Sequence, residues 1–183
     1  MKNKIEKTRL FHNFQHSILR KYDIRGVVGD TLFESDAYAI GLSFANYLRY
    51  YKITGSIAII KDARASGDIL KSKVIQGLID GGCNVVDCGV GPTPMCYFSA
   101  YFMPEVVAFI AITGSHNPAN YNGFKLGIKG KNFAEHEILE LAQNLRSGVE
   151  IIGGGKFFEK SCKRLTFAPR TLFSGACHSV GAA

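Results

Sequence analysis

The sequence lacks most of what would mark a membrane, secreted or nucleotide-binding chain. Its longest apolar run, Val106 to Ile112, is far too short to span a bilayer, which takes about 20 apolar residues. Residues 1–21 carry charges but no apolar stretch of the kind that follows the charged start of a secretory signal. The five cysteines (Cys83, Cys88, Cys96, Cys162 and Cys177) form no C-x-x-C pair and no zinc spacing, and their odd number argues against a disulfide framework. They read as buried thiols in a reducing cytoplasm, so the expected location is cytoplasmic. Gly89-Val90-Gly91 lacks the third glycine of a dinucleotide fingerprint, and there is no P-loop. Ser115 is outside a nucleophile elbow, because Thr113 and Asn117 stand where that turn needs glycine. Internal repeats and low-complexity segments are also absent.

An excess of positive charge is missing from the middle of the chain. The net charge is +7, but residues 1–25 carry +5, residues 156–183 carry +4 and residues 26–155 carry −2. The basicity belongs to the two ends rather than to a face of the folded part, which argues against nucleic acid as a partner.

What is present is the composition of a globular domain, 46% apolar over 183 residues, enough for one domain with a real core. Residues 18–28 read as an entry strand ending at Gly26. Ala37, Ile40, Gly41, Phe44 and Leu48 then recur at helical spacing, with Ser35 available as N-cap. "SIAIIKD" reads as a strand buried on both faces. Leu70, Val74 and Leu78 mark a second helix ended by Gly81-Gly82. "NVVDCG" is a third strand, and "TPMCYFSAYF" a short helix with Pro94 in its first turn. "VVAFIAI" is a fourth strand and "GFKLGIK" a fifth. Ile138, Leu141, Ala142 and Leu145 give a last amphipathic helix closed by Gly148. This alternation predicts an α/β fold, a mostly parallel or mixed sheet flanked by helices, with polar loops gathered beyond the carboxyl ends of the strands. Beyond Gly148 no period is sustained.

One of those loops, "TGSHNPANYNGFK", holds Ser115, His116, Asn117 and Lys125 but no acid. A lone serine in such a turn usually satisfies its own backbone. Here the density of donors and cations suits a bound phosphate or a phosphorylated serine, which nearby carboxylates would repel. Lys125 alternates with Phe124 and Leu126 and so points to the opposite face; taken alone it could equally be a solvated edge lysine. Arg25 could pair with Asp23, and Asp62 with Arg64 reads as a surface ion pair.

Four segments in order, "YDIRG", "KDARAS", "GPTP" and "TGSHNPANYNGFK", resemble the first domain of the α-D-phosphohexomutases, the phosphomannomutase/phosphoglucomutase subgroup in particular. The resemblance covers roughly residues 18–148. It implies a domain I of four, in which Ser115 carries a phosphoryl group. That group passes to one hydroxyl of a hexose phosphate, giving a hexose 1,6-bisphosphate, the activator in this family. The other phosphoryl then returns to the serine, so that 1- and 6-phosphates interconvert. His116 and Lys125 match residues near the transferred group, Lys125 being a candidate for proton handling. Tyr22 and Arg25 match residues lining the catalytic centre, with Asn117 among those facing substrate. Mg²⁺ would bind one oxygen of phosphorylated Ser115.

The Asp-rich D-G-D-x-D-R loop that supplies the family's other metal ligands has no counterpart: the sequence contains no D-x-D. Its G-E-x-S-G-H sugar loop and C-terminal phosphate-binding domain are missing too, and Lys61 stands where the family usually has Arg or an aromatic. The expected organisation is an N-terminal extension (1–17), domain I (18–150) and an aperiodic tail (151–183), a truncated or frameshifted remnant of the start of domain II. By itself the chain is expected to be inactive. Two alternatives remain: a subunit completed by a partner chain carrying the missing domains, and a non-catalytic sugar-phosphate-binding module.

Overall fold

A computed structural model of the chain describes residues 8–160. Its strands are β1 (Arg9–Leu10), β2 (Ile24–Val27), β3 (Ser56–Lys61), β4 (Asn84–Val90), β5 (Val106–Ile112), β6 (Tyr121–Ile128), β7 (Lys131–Asn132), β8 (Val149–Glu150) and β9 (Phe157–Glu159). Its helices are α1 (Glu34–Tyr50), α2 (Gly67–Asp80), α3 (Pro94–Phe102) and α4 (Glu135–Ser147). The main sheet runs β2-β6-β5-β3-β4-β9, with β7 pairing on β6. Strands β5, β3, β4 and β9 are parallel, while β6 is antiparallel to β5, β2 and β7. The sheet is therefore mixed, as an α/β reading allows.

Period-two alternation sorts the side chains onto two unequal faces. Ile57, Ile59, Ala108, Ile110, Ile112, Phe124 and Leu126 join α1, α2 and α4 in the larger core. Ala58, Ile60, Val86, Phe109 and Ala111 face the other way, into a smaller core that includes Cys96 of α3. Helices α1 and α2 pack backbone to backbone. A Cβ on Gly41 would overlap the Val74 carbonyl, and one on Gly77 would overlap the Tyr38 carbonyl, so each helix offers a glycine where the other presses closest.

Three local expectations change. The entry strand shrinks to Ile24–Val27, because a 3₁₀ turn over His16–Ile18 and a reversal closed by the Arg20 N–H to the Asp23 carbonyl (3.0 Å) precede it. Ser35 is not the N-cap of α1. The helix starts at Glu34, and Asp36 reaches back to accept from the Phe33 N–H (2.7 Å) while its other oxygen lies 2.7 Å from His12 Nε2. The fifth strand begins earlier than expected, at Tyr121.

The ends of the described chain also join the fold. Arg9 and Leu10 pair with Glu150 and Val149, and Phe14 is buried in the larger core. Phe157–Glu159, inside the stretch read as aperiodic, adds a parallel edge strand to β4. Three exposed residues are too few to show a period. Residues 161–183, most of the expected tail, lie outside the described residues, as do Cys162 and Cys177. Among the described residues no helix is long and apolar enough to cross a membrane.

Candidate active site

The site is built on the carboxyl end of β5, where residues 113–120 turn the chain into β6. Register decides which side chains meet there. Ile112 pairs with Phe124 and Ala111 with Lys125, while across β6 Arg25 of β2 pairs with Gly123. Continuing that last register sets Asp23 opposite Lys125. The carboxylate of Asp23 accordingly takes both cations: its Oδ2 pairs with Arg25 Nη2 and lies 3.4 Å from Lys125 Nζ. Lys125 is half-buried in this bridge, so the solvated-edge reading does not hold for it.

Arg25 is 6% exposed, and its Nη1 donates 3.1 Å to the Gly114 carbonyl, one residue before Ser115. The Arg25 Nε is buried without a hydrogen-bond partner among the described residues. Burying a guanidinium demands paired charge and satisfied donors, and Asp23 with the Gly114 carbonyl supplies most of both.

Ser115 itself is exposed and takes a left-handed backbone conformation, φ 52°. For a residue other than glycine that conformation costs roughly 1–2 kcal/mol, so the surrounding contacts must hold it. They are local on one side: the Ser115 N–H donates to Thr113 Oγ1 (2.8 Å), and the Asn117 N–H to the Gly114 carbonyl (3.1 Å). The result presents the hydroxyl to solvent on a fixed turn. His116 is exposed and Asn117 half-buried beside it, and Tyr22 stands 58% exposed next to Asp23.

The other side of the loop is held by residues first read as a surface pair. Asp62 and Arg64 do pair (3.2 Å), but Asp62 Oδ2 also accepts from the Gly114 N–H (3.2 Å), and the Arg64 guanidinium donates to backbone carbonyls of the serine loop and of Tyr121. Asn122, fully buried, donates to Ser66 Oγ (2.9 Å) and joins the same two segments lower down. Two of the three expected polar loops are thus fused. The third, "GPTP", meets them at its foot, where the Gly91 N–H donates to the Lys61 carbonyl (2.9 Å). Lys61 is buried and paired with Asp68 (2.9 Å).

A loop without an acid in its own sequence therefore borrows two, Asp23 and Asp62, from elsewhere. Neither is available to a metal in this arrangement, since one is committed to two cations and the other to a backbone N–H and Arg64. Among the described residues no group of three or more His, Cys, Asp or Glu could hold an ion. Mg²⁺ prefers octahedral oxygen coordination, so the residues present do not by themselves fit it.

Residues 16–150 match the family model described as phosphoglucomutase/phosphomannomutase, alpha/beta/alpha domain I. The phosphomannomutase/phosphoglucomutase of Pseudomonas aeruginosa is 43% identical over 129 residues, covering 70% of this chain and 27% of that protein. A phosphoglucomutase of Neisseria meningitidis serogroup B is 43% identical over 125 residues, covering 68% of this chain and 26% of its own length. In structure, a phosphoglucomutase/phosphomannomutase family protein from Burkholderia thailandensis superposes with a TM-score of 0.72 at 34% identity, over 81% of this chain and 34% of that one. The chain thus spans about a quarter of the curated relatives it matches. With residues 16–150 matching the family model and the mixed α/β fold shared with a solved member, the chain belongs to the phosphoglucomutase/phosphomannomutase family through its alpha/beta/alpha domain I.

Proposed function

We propose that this domain carries the phosphoserine of a phosphohexomutase, an isomerase that interconverts hexose 1-phosphates and hexose 6-phosphates. The observation that carries the reading is Ser115, exposed on a left-handed turn whose neighbouring carbonyl is pinned by buried Arg25, with Lys125 close by in the Asp23 bridge. Phosphoryl transfer needs positioning and positive charge more than covalent chemistry; the fixed turn offers the first, and Arg25 with Lys125 the second.

In the proposed reaction the phosphoryl leaves Ser115 Oγ as its P–O bond breaks, and a new P–O bond forms to a sugar hydroxyl. Lys125, an ammonium beside Asp23, is the candidate to give a proton to the departing Ser115 Oγ and to take up the proton of that hydroxyl, ending as an ammonium again. The hexose 1,6-bisphosphate turns over and returns its other phosphoryl to Ser115, whose hydroxyl proton passes by the same route to the sugar oxygen released. Tyr22, Arg25, Asn117 and Lys125 form the wall that meets the substrate, and His116 flanks the transferred group.

Mg²⁺, which the family uses, would take one oxygen of phosphorylated Ser115, and its other ligands would have to come from outside the described residues. Sugar recognition likewise belongs to parts of the longer relatives that this chain does not match. The hexose phosphate therefore meets a complete site only when those parts are present, whether in the same chain or in a partner. The location proposed is cytoplasmic, in keeping with Cys83 as a free thiol.

The test is phosphate transfer. Incubating the chain with glucose 1,6-bisphosphate, then mapping phosphate by mass spectrometry, is expected to mark Ser115 and to leave Ser115→Ala unmarked. Binding of hexose phosphate with no mark on Ser115 would favour a non-catalytic sugar-phosphate module. A mark that appears only after the missing domains of a relative are added would favour completion by a partner.

A further inference from the structure

We propose that Arg64 is the positioning residue of the serine loop, the group that sets the backbone path on which Ser115 is presented. The inference rests on reading Ser115 as the phosphoserine, but its geometry stands apart from that reading.

A guanidinium has five N–H donors in a rigid plane, and here every one has an acceptor. Arg64 Nε donates to Asp62 Oδ2 at 3.2 Å. Nη1 donates to the carbonyls of Pro118 (2.5 Å) and Tyr121 (2.9 Å). Nη2 donates to the carbonyls of Ser115 (3.1 Å) and Asn117 (2.6 Å). Four carbonyls from a segment of seven residues thus converge on one side chain that lies 51 to 57 residues away in sequence.

Asp62 fixes the fork in turn, accepting from the Arg64 N–H (3.1 Å) and from the Gly114 N–H (3.2 Å). Gly114 makes room for it: a Cβ there would overlap the guanidinium carbon and two of its nitrogens. Because Arg64 meets residues 115–121 at their backbone carbonyls, it acts on Ser115 through the backbone. A lysine ammonium, with three donors at one point, cannot span this set.

The experiment uses the full chain with Arg64→Ala and Arg64→Lys. Amide hydrogen exchange is followed over residues 113–121, with β3 amides as the control for folding, and Ser115 phosphorylation is timed with glucose 1,6-bisphosphate as donor. Each measurement is repeated with millimolar guanidinium. In Arg64→Ala, loop exchange is expected to rise at least about tenfold, the equivalent of one net hydrogen bond, with β3 unchanged and phosphorylation slowed by a similar factor. Guanidinium should restore part of both in Arg64→Ala and nothing in Arg64→Lys.

If Arg64→Ala also loses β3 protection, Arg64→Lys decides: a loosened loop over an intact β3 supports the assignment. Loop exchange at the wild-type rate in the folded variant overturns it, as does a loosened loop with undiminished phosphorylation. If the wild-type chain takes no phosphate, alone or with the missing domains of a relative added, while guanidinium re-protects the Arg64→Ala loop, the positioning role stands and the phosphoserine reading falls.

Discussion

Asp23 Oδ2 lies 3.4 Å from Lys125 Nζ, across 102 residues of sequence, and the same oxygen is bound by Arg25. One carboxylate thereby holds an ammonium and a guanidinium on the same side of the serine loop, where mutual repulsion would otherwise drive them apart. Asp23→Asn keeps the shape and removes the charge. It is expected to slow Ser115 phosphorylation about a hundredfold, the scale of a misplaced catalytic group, and to lower thermal stability as well, because buried Arg25 loses its counter-charge. A time course of intact mass checks this; an unchanged rate would mean that β6 alone places Lys125.

Arg25→Lys tests the buried half of the cluster. A lysine can replace one contact of Arg25 but not both the Asp23 pair and the Gly114 carbonyl, leaving a buried acceptor unmet. The expected cost is about 1–3 kcal/mol in unfolding free energy, read from the urea midpoint at constant slope.

The α1–α2 contact predicts a steric effect far from the site. Gly77→Ala places a methyl against the Tyr38 carbonyl, which is helix backbone and cannot rotate away. Helix propensity alone would favour alanine by about 1 kcal/mol. The overlap should nevertheless win and give a net loss of about 1–3 kcal/mol, visible as a lower melting temperature.

Stability should also fall at alkaline pH. Burial pushes the Cys83 thiol from an ordinary value near 9 up to about 11, and burial with the Asp80 hydrogen bond pushes the Tyr38 hydroxyl from about 10 to about 12. Both groups bind their protons more tightly in the folded chain. Their contribution is complete below about pH 9 and is lost as pH rises through about 11 and then about 12. Urea unfolding at pH 8 and pH 11 is expected to show the decline, and Cys83→Ala to flatten its first part.

The elements and the central loop were legible because their signals are local. The all-buried "SIAIIK" strand, the Gly81 and Gly148 stops and the Pro94 start all appear where chain chemistry puts them. Ser115 stood out because donors and cations crowd a short stretch around it. Failures came where a distant group outcompeted a local one. Ser35 offered a cap, but Asp36, already beside His12 of the N-terminal segment, took that role for α1. The edge strand β9 exists only because β4 supplies its partners.

The residues that decide the site's shape were the least legible. Arg64 and Asp62 look like any adjacent pair of opposite charges, and Lys125 looks like any lysine on a strand. Arg64's targets are four backbone carbonyls, which every sequence contains and no residue type marks. By itself the sequence determined which groups could do phosphoryl chemistry, since hydroxyl, imidazole, ammonium and guanidinium are properties of residue types. Only the tertiary structure decided which of them meet, because strand register and the path of the loop bring together atoms that lie 51 to 102 residues apart along the chain.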